Sequence, residues 1–337
     1  MVVELPLAAS HRGVGRPVST FTLNPQAGTC IGIHLSSDAL HVLIADAAHS
    51  VLDQKRIPLG LDYSPALAAR SARDEVVAAY RRSGLPRRGI LGVGVSVSGP
   101  IVADGRVQRS SVIPKWAGRN IREVFEPVLE QPIFADNESN CAAIAEMTWG
   151  AAVGEENFVL FKADVGIGGA VVAHGRVLTG VAGGAGEFGH IPIDPDGGLC
   201  RCGNRGCLEL TASFRPALEV ASRRQKRPVQ IEELVALANS GDADAMRLVA
   251  ETAERAGRGL GVIGAVLNPG LFVIAGGGAC AGALLLKPLI GSYERHFFIK
   301  RNDVPAALAT RFVIGKFLAN DSLMGAVGLV LRHRGRL

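Results

Sequence analysis

Glu187-Phe188-Gly189-His190, nine further residues, and then Cys200-Arg201-Cys202-Gly203-Asn204-Arg205-Gly206-Cys207-Leu208-Glu209 form the stretch on which the reading of this chain turns. Three of the six cysteines fall within eight positions, and His190 lies ten residues before the first of them. One imidazole and three thiols of such short reach suffice to close a tetrahedral site of the kind zinc prefers, with His190, Cys200, Cys202 and Cys207 as ligands. Gly203 and Gly206 serve the tight turns, some with positive φ, that ligands so closely spaced require. The alternative is a set of thiols that never meet a metal. Against it stand two carboxylates, Glu187 and Glu209, placed beside the ligands but outside the cage. A closed four-ligand site is structural, and its role is to aim these neighbours and the second nitrogen of His190 at something else.

The pattern Glu187-x-Gly-His190 followed by Cys-x-Cys-Gly-x-x-Gly-Cys-Leu-Glu209 resembles the signature of the ROK family, which groups bacterial sugar kinases, sugar-responsive repressors and unassigned members. The resemblance runs from about residue 13 to the C-terminus. It implies an α/β protein with the two-lobed actin-like ATPase (ribonuclease H-like) fold, a structural zinc and a sugar cleft between the lobes. On this pattern residues 1–25 are the remnant of a winged-helix wing and linker. Residues 26–135 with 316–337 make the N-terminal lobe, and 136–315 the C-terminal lobe carrying the zinc motif. The resemblance also implies sugar contacts from Asn137, Glu138, Glu187, His190 and Glu209. Carboxylates suit vicinal hydroxyls because each accepts two charge-assisted hydrogen bonds at fixed spacing. His190 has one ring nitrogen for the metal and the other for the sugar.

The nucleotide side departs from the family's kinases. After their first strand these carry Asp-x-Gly-Gly-Thr, whose glycines admit phosphates and whose Asp supports the metal; here His34, Ser36, Ser37 and Asp38 stand at those positions. An anionic Asp38 facing a triphosphate is repulsive by roughly 4 kcal/mol per charge pair at about 4 Å and an effective dielectric near 20. Where the kinases read Asn-Asp-x-Asn, with the Asp as base, this chain has Asn137-Glu138-Ser139-Asn140. Glu138 is catalytic only if the chain is a kinase, and a shift of about 1 Å in such a group costs on the order of a hundredfold in rate. Asn140 is open to a second role as a helix cap, and Asp136 to one in the turn. In the second phosphate loop Asp164 stands where a glycine or small hydroxyl residue is expected, although Gly166, Gly168 and Gly169 are retained. Gly276-Gly277-Gly278 resembles the adenosine-side turn. Gly166, Gly168, Gly276 and Gly277 are cofactor contacts only if ATP binds.

Composition narrows the class. With 337 residues, 48% hydrophobic and 20% charged, the chain can bury a full core in two lobes. The 42 glycines exceed the usual share of about 7% and are grouped in turns, not in a repeat. A net charge of +5 comes from scattered groups, Arg81, Arg82, Arg87 and Arg88, Arg223 to Arg227, and Arg332, Arg334 and Arg336, which read as solvated faces. Cys30, Cys141 and Cys280 stand in apolar surroundings and read as small core residues. No disulfide framework and no signal peptide are indicated, which places the protein in a reducing cytoplasm. The uncharged run 259–286 is longer than a membrane span needs, but Asn268-Pro269-Gly270 and Gly276-Gly277-Gly278 cut it into helix end, turn, buried strand and turn.

In chain order, Cys30 to Leu35, His41 to Asp46, Gly92 to Val97, Gln131 to Ala135, Asn157 to Lys162, Ala170 to Ala173, Leu271 to Ala275 and Arg311 to Ile314 read as strands. A hairpin is expected at His174-Gly175. Ser64 to Ser83 is helical, with Leu67, Val76, Val77 and Tyr80 as apolar positions and Gly84 and Pro86 as the stop. Asp242 caps a long helix whose apolar face runs through Ala245, Leu248, Val249, Thr252, Ala256, Leu260 and Ile263. Met324 to Leu331 resembles the closing helix that returns to the first lobe. Trp116, in a stretch resembling the family's mobile loop, is placed either over an apolar sugar face or in the core. Near the N-terminus Arg12, Arg16, Pro17 and Thr22-Leu23-Asn24-Pro25 resemble the segment that closes a repressor's winged helix-turn-helix, a unit needing on the order of 50 residues. The lead expectation is therefore the sugar-sensing body of a regulator, and not an enzyme, with a small sugar or sugar phosphate as ligand. It assembles as a homodimer or homotetramer and contacts DNA only with an N-terminal head restored; no membrane is involved. The alternative is an ATP-dependent, Mg2+-requiring hexose 6-phosphotransferase.

Overall fold

Two five-stranded mixed sheets carry the chain, and both have the same plan. The computed structural model describes residues 2–5, 20–85, 89–110 and 112–333. Residues 12–17, 86–88, 111 and 334–337, on which several expectations fall, lie outside them. A short antiparallel ribbon of β1 (Val2–Leu5) and β2 (Thr20–Leu23) precedes the first sheet. That sheet contains β3 (Thr29–Leu35), β4 (Ala39–Asp46), β5 (Val51–Pro58), β6 (Ile90–Val97) and β7 (Ile133–Asn137), in the order β5-β4-β3-β6-β7. Between them run α1 (Pro65–Ser83) and α2 (Ile121–Leu129).

After α3 (Glu138–Trp149) the plan is repeated by β8 (Phe158–Ala163), β9 (Ile167–Ala173), β10 (Arg176–Leu178), β11 (Leu271–Ala275) and β12 (Arg311–Ile314), in the order β10-β9-β8-β11-β12. In each sheet the first three strands are antiparallel neighbours and the last two join in parallel. Helices α4 (Leu208–Ala212), α5 (Arg215–Gln225), α6 (Ile231–Asn239), α7 (Ala243–Leu267), α8 (Ala283–His296) and α9 (Asp321–His333) complete the chain.

The expected strands form where continuous apolar runs can be buried: β3, β6, β8 and β11 are buried along nearly their whole length. Helix ends follow their sequence signals. Ser64 Oγ accepts the Leu67 N–H, Asp242 Oδ1 accepts the Ala245 N–H, and Gly84 and Asn268 close their helices in the left-handed region. The whole expected apolar face of α7 is buried. The hairpin turn puts His174 and Gly175 at φ 51° and 68°.

Helix α9 crosses back over the first sheet and lies against α3, and glycines set how closely it approaches. A Cβ on Gly94 of β6 would meet the Ala326 oxygen at 1.8 Å, and one on Gly325 the Cys141 oxygen at 1.7 Å.

Several expectations are corrected. Cys280 is exposed, unlike Cys30 and Cys141, because the helical turn that carries it points it outward. Leu67 is exposed; α1 packs instead through Ala68, Ala69, Ala72, Val76, Ala79 and Tyr80. Trp116 is fully buried, parallel to Phe125 and edge-on to Tyr63, so it belongs to the core and not to a sugar platform. Strand β5 was not expected, since its residues are mostly polar and exposed and only pairing with β4 makes it a strand. Among the described residues no helix is long and apolar enough to cross a membrane.

Candidate functional site

The ligand atoms of His190, Cys200, Cys202 and Cys207 all lie within 4.8 Å of one another. His190 ends a short helical turn, Phe188–His190, while the cysteines lie in the loop entering α4. Gly203 and Gly206 have φ of 99° and 62°, and a Cβ on Gly206 would meet the Asp194 oxygen at 1.5 Å. Two edges of the cluster, Cys200 Sγ to His190 Nδ1 and Cys202 Sγ to Cys207 Sγ, are each 3.6 Å. An ion about 2.3 Å from each sulfur in tetrahedral geometry requires edges of roughly 3.8 Å, so the arrangement fits a four-coordinate metal. Burial and the neighbouring sulfurs of Cys202 and Cys200 push the Cys207 thiol up to about 12, while at Cys202 burial is outweighed by hydrogen bonds from the Asn204 backbone and the neighbouring cysteines, which lower that thiol, so the thiols of one cluster are set apart. Burial, helped by Arg201 and opposed by Glu209, lowers the His190 pKa and keeps its imidazole in the form a metal binds.

Beside this knot, Asn137, Glu138, Glu187 and His190 line one cavity of about 620 Å³, together with Arg109 and Arg201. Glu209 faces an adjoining cavity of about 900 Å³, which Gly166, Gly168, Gly276 and Gly277 also line. Ser98, Val112, Glu138, Ile167, Gly168 and Arg201 belong to both walls, so the two spaces meet at Glu138.

The carboxylates differ in environment. Glu138, at the start of α3, accepts from Ser98 Oγ at 2.8 Å, and His34 Nε2 lies 3.6 Å from the same oxygen. Glu187 is pushed up to about 7 by burial and then by Glu138 and Glu209, with Arg201 opposing. Glu209 is held by Arg201, 2.9 Å from Oε1 and 3.0 Å from Oε2, and by the Ile167 N–H at 3.3 Å. Asn137 is occupied at both ends: its Oδ1 caps α3 by accepting the Ser139 N–H at 2.7 Å, and its Nδ2 donates to the Gly99 oxygen at 3.0 Å. The cap of α3 is thus Asn137 and not Asn140, which donates to Asp136.

In the larger cavity His34, on β3, has its pKa lowered to about 3 by burial, Lys162 and His41, and so is a neutral imidazole bonded to Ser96 Oγ at 3.1 Å. Asp38 does not face the cavity as an uncompensated charge: Arg56 of β5 donates to it at 2.7 Å.

Sequence reasoning missed Lys162 and Arg201. Burial opposes the Lys162 ammonium, but Asp321, Glu138 and Asp164 outweigh it and raise its pKa; its Nζ donates to Asp321 at 3.3 Å and Ser322 at 3.0 Å. The available signal was a lysine at the end of an otherwise apolar strand. Arg201 stood within the quoted cysteine stretch, but its reach to Glu209 depends on how the knot folds.

A glucokinase of Halalkalibacterium halodurans is 29% identical over 79% of this chain and 85% of its own length. A xylose repressor of Caldicellulosiruptor bescii is 24% identical over 95% of this chain and 82% of its own length. The crystal structure of a ROK hexokinase from Thermus thermophilus is 30% identical and superposes with a TM-score of 0.72, covering 91% of this chain and 99% of that one. The sequence profile of the ROK family matches residues 30–333, and with the His-Cys knot and its flanking carboxylates in place, the chain belongs to the ROK family.

Proposed function

We propose that this chain is the sugar-binding body of a ROK regulator and binds a small sugar or sugar phosphate without using ATP. The knot of His190, Cys200, Cys202 and Cys207 holds a structural zinc, which fixes the ring of His190 and the start of α4. The sugar lies in the smaller cavity, where Glu138 and Glu187 accept hydrogen bonds from its hydroxyls and His190 donates from its free nitrogen, while Glu209, on the adjoining cavity, holds the Arg201 that lines both walls. Asn137 takes part by releasing the Gly99 oxygen.

The observation that carries this reading is His34. In the family's kinases an aspartate that supports the metal stands there; here a partly buried, neutral imidazole lies against Glu138. Charge around the larger cavity agrees. Asp38, Glu138, Asp164, Glu209, Glu232 and Asp321 outnumber Arg56, Lys162 and Arg201 on its wall, a poor setting for a triphosphate. As a regulator, the protein works by ligand-driven closure of two lobes, 26–135 with 316–337 and 136–315, passed through a homodimer or homotetramer to DNA-binding heads. A sugar shifts that equilibrium only by its differential affinity for the two arrangements.

A second reading, an ATP- and Mg2+-dependent hexose 6-phosphotransferase with Glu138 as base, is favoured by one observation: the two cavities join at Glu138, as transfer between a nucleotide and a sugar would require.

Isothermal titration of the purified chain with glucose, N-acetylglucosamine, mannose, xylose and their phosphates tests the proposal. At about pH 8, above the Glu187 pKa of about 7, at least one is expected to bind, and Glu187→Gln to weaken it about 10- to 100-fold by loss of charge-assisted hydrogen bonds. Binding of none of the panel would contradict it.

A further inference from the structure

Strands β8 and β11 are parallel neighbours, and the turns that follow them open onto the larger cavity. In open α/β sheets this is where oxyanions are held, because backbone N–H groups at the carboxyl ends of adjacent parallel strands are left unpaired by the ladder. Here those donors are already taken. Asp164 Oδ1 accepts the Val165 N–H at 2.7 Å, and Asp164 Oδ2 reaches across to accept the Gly277 N–H at 2.8 Å. One carboxylate thus draws one amide from each turn, as two oxygens of a phosphoryl group would.

The space between the turns is filled to match. A Cβ on Gly276 would lie 2.9 Å from the Ala163 oxygen and 3.0 Å from Asp164 Oδ2, and one on Gly278 would lie 2.7 Å from the Ala163 oxygen. The charge is matched as well. Asp164 is among the carboxylates that keep the buried Lys162 ammonium charged.

We infer that Asp164 is a resident substitute for an oxyanion, filling the phosphoryl position between β8 and β11 and closing the cleft to nucleotides. The turn pair is thereby held together with no nucleotide present, and Asp164 decides what the cavity rejects. This deepens the regulator reading, which says only that ATP is not used, by naming the group that excludes it.

The test is calorimetric titration of the full chain and of its Asp164→Gly and Asp164→Asn variants with ADP in the presence of Mg2+. Sugar titration and thermal melting of the same samples report folding. Asp164→Asn keeps one acceptor oxygen, loses the charge and leaves one of the two amides without its acceptor, so it is expected to bind ADP more tightly than the unaltered chain. Asp164→Gly is expected to bind ADP at least tenfold more tightly than the unaltered chain. Unaltered protein that binds ADP as tightly as the Gly variant overturns the inference, and so does a folded Gly variant that gains nothing. Should the Gly variant not fold, the Asn variant decides: a folded Asn variant that binds ADP more tightly than the unaltered chain supports the assignment, and one that gains nothing overturns it. The sugar arm is independent, since loss of sugar binding by the unaltered chain would sink the regulator reading and leave the role of Asp164 standing.

Discussion

That His190, Cys200, Cys202 and Cys207 come together in a cluster that could hold a metal was legible in the sequence because they lie within eighteen residues of each other. Cys207→Ser removes a buried ligand and is expected to reduce bound zinc from about one ion per chain, as measured by elemental analysis, and to weaken sugar binding through the freed His190 ring. Unchanged zinc content in the variant would contradict the ligand set. The surroundings of His34 were not legible, since its partners Ser96, Glu138 and Lys162 reach it only through the fold. Its pKa falls from 6.5 in the unfolded chain to about 3 in the folded one. The stability this represents is fully present above pH 6.5 and is lost as the pH falls from 6.5 towards 3, because the unfolded chain then takes up a proton that the folded chain refuses. Between neutral pH and pH 5 the loss is about 2 kcal/mol. Urea unfolding of the unaltered chain and of His34→Gln at pH 7.5 and 5.0 is expected to show the variant losing less stability by that amount; equal losses would contradict the partly buried neutral imidazole.

Among the elements, those whose apolar residues run continuously or at helical spacing were readable, β3, β6, β8, β11 and α7 above all. Strand β5 was not, and with it the Arg56 that compensates Asp38 stayed hidden; the electrostatic case against ATP therefore moves from Asp38 to His34 and Asp164. The tie from Asp164 to Gly277 spans 113 residues and has no local signature. Neither does the close crossing of α9, which depends on Gly94 and Gly325 only because of what they touch. Gly325→Ala forces a methyl group into the Cys141 carbonyl and is expected to cost about 3 kcal/mol, read as a lowered melting temperature. A variant as stable as the unaltered chain would show that α3 and α9 do not cross in this way.

For the whole molecule, two sheets of one plan carry a cavity lined by carboxylates and His190 and an adjoining cavity lined by glycine turns. Over most of its length this chain is similar both to a glucokinase, at 29% identity, and to a xylose repressor, at 24%. Function at this scale is set by whether the two cavities act together on a phosphoryl group. The direct measurement is ADP release by the purified chain with ATP, Mg2+ and each sugar of the panel in turn. The account predicts no sugar-dependent ADP release above background for any sugar, including one that binds. Sustained turnover at roughly 1 per second or faster, within the ordinary range of enzymes, would contradict it.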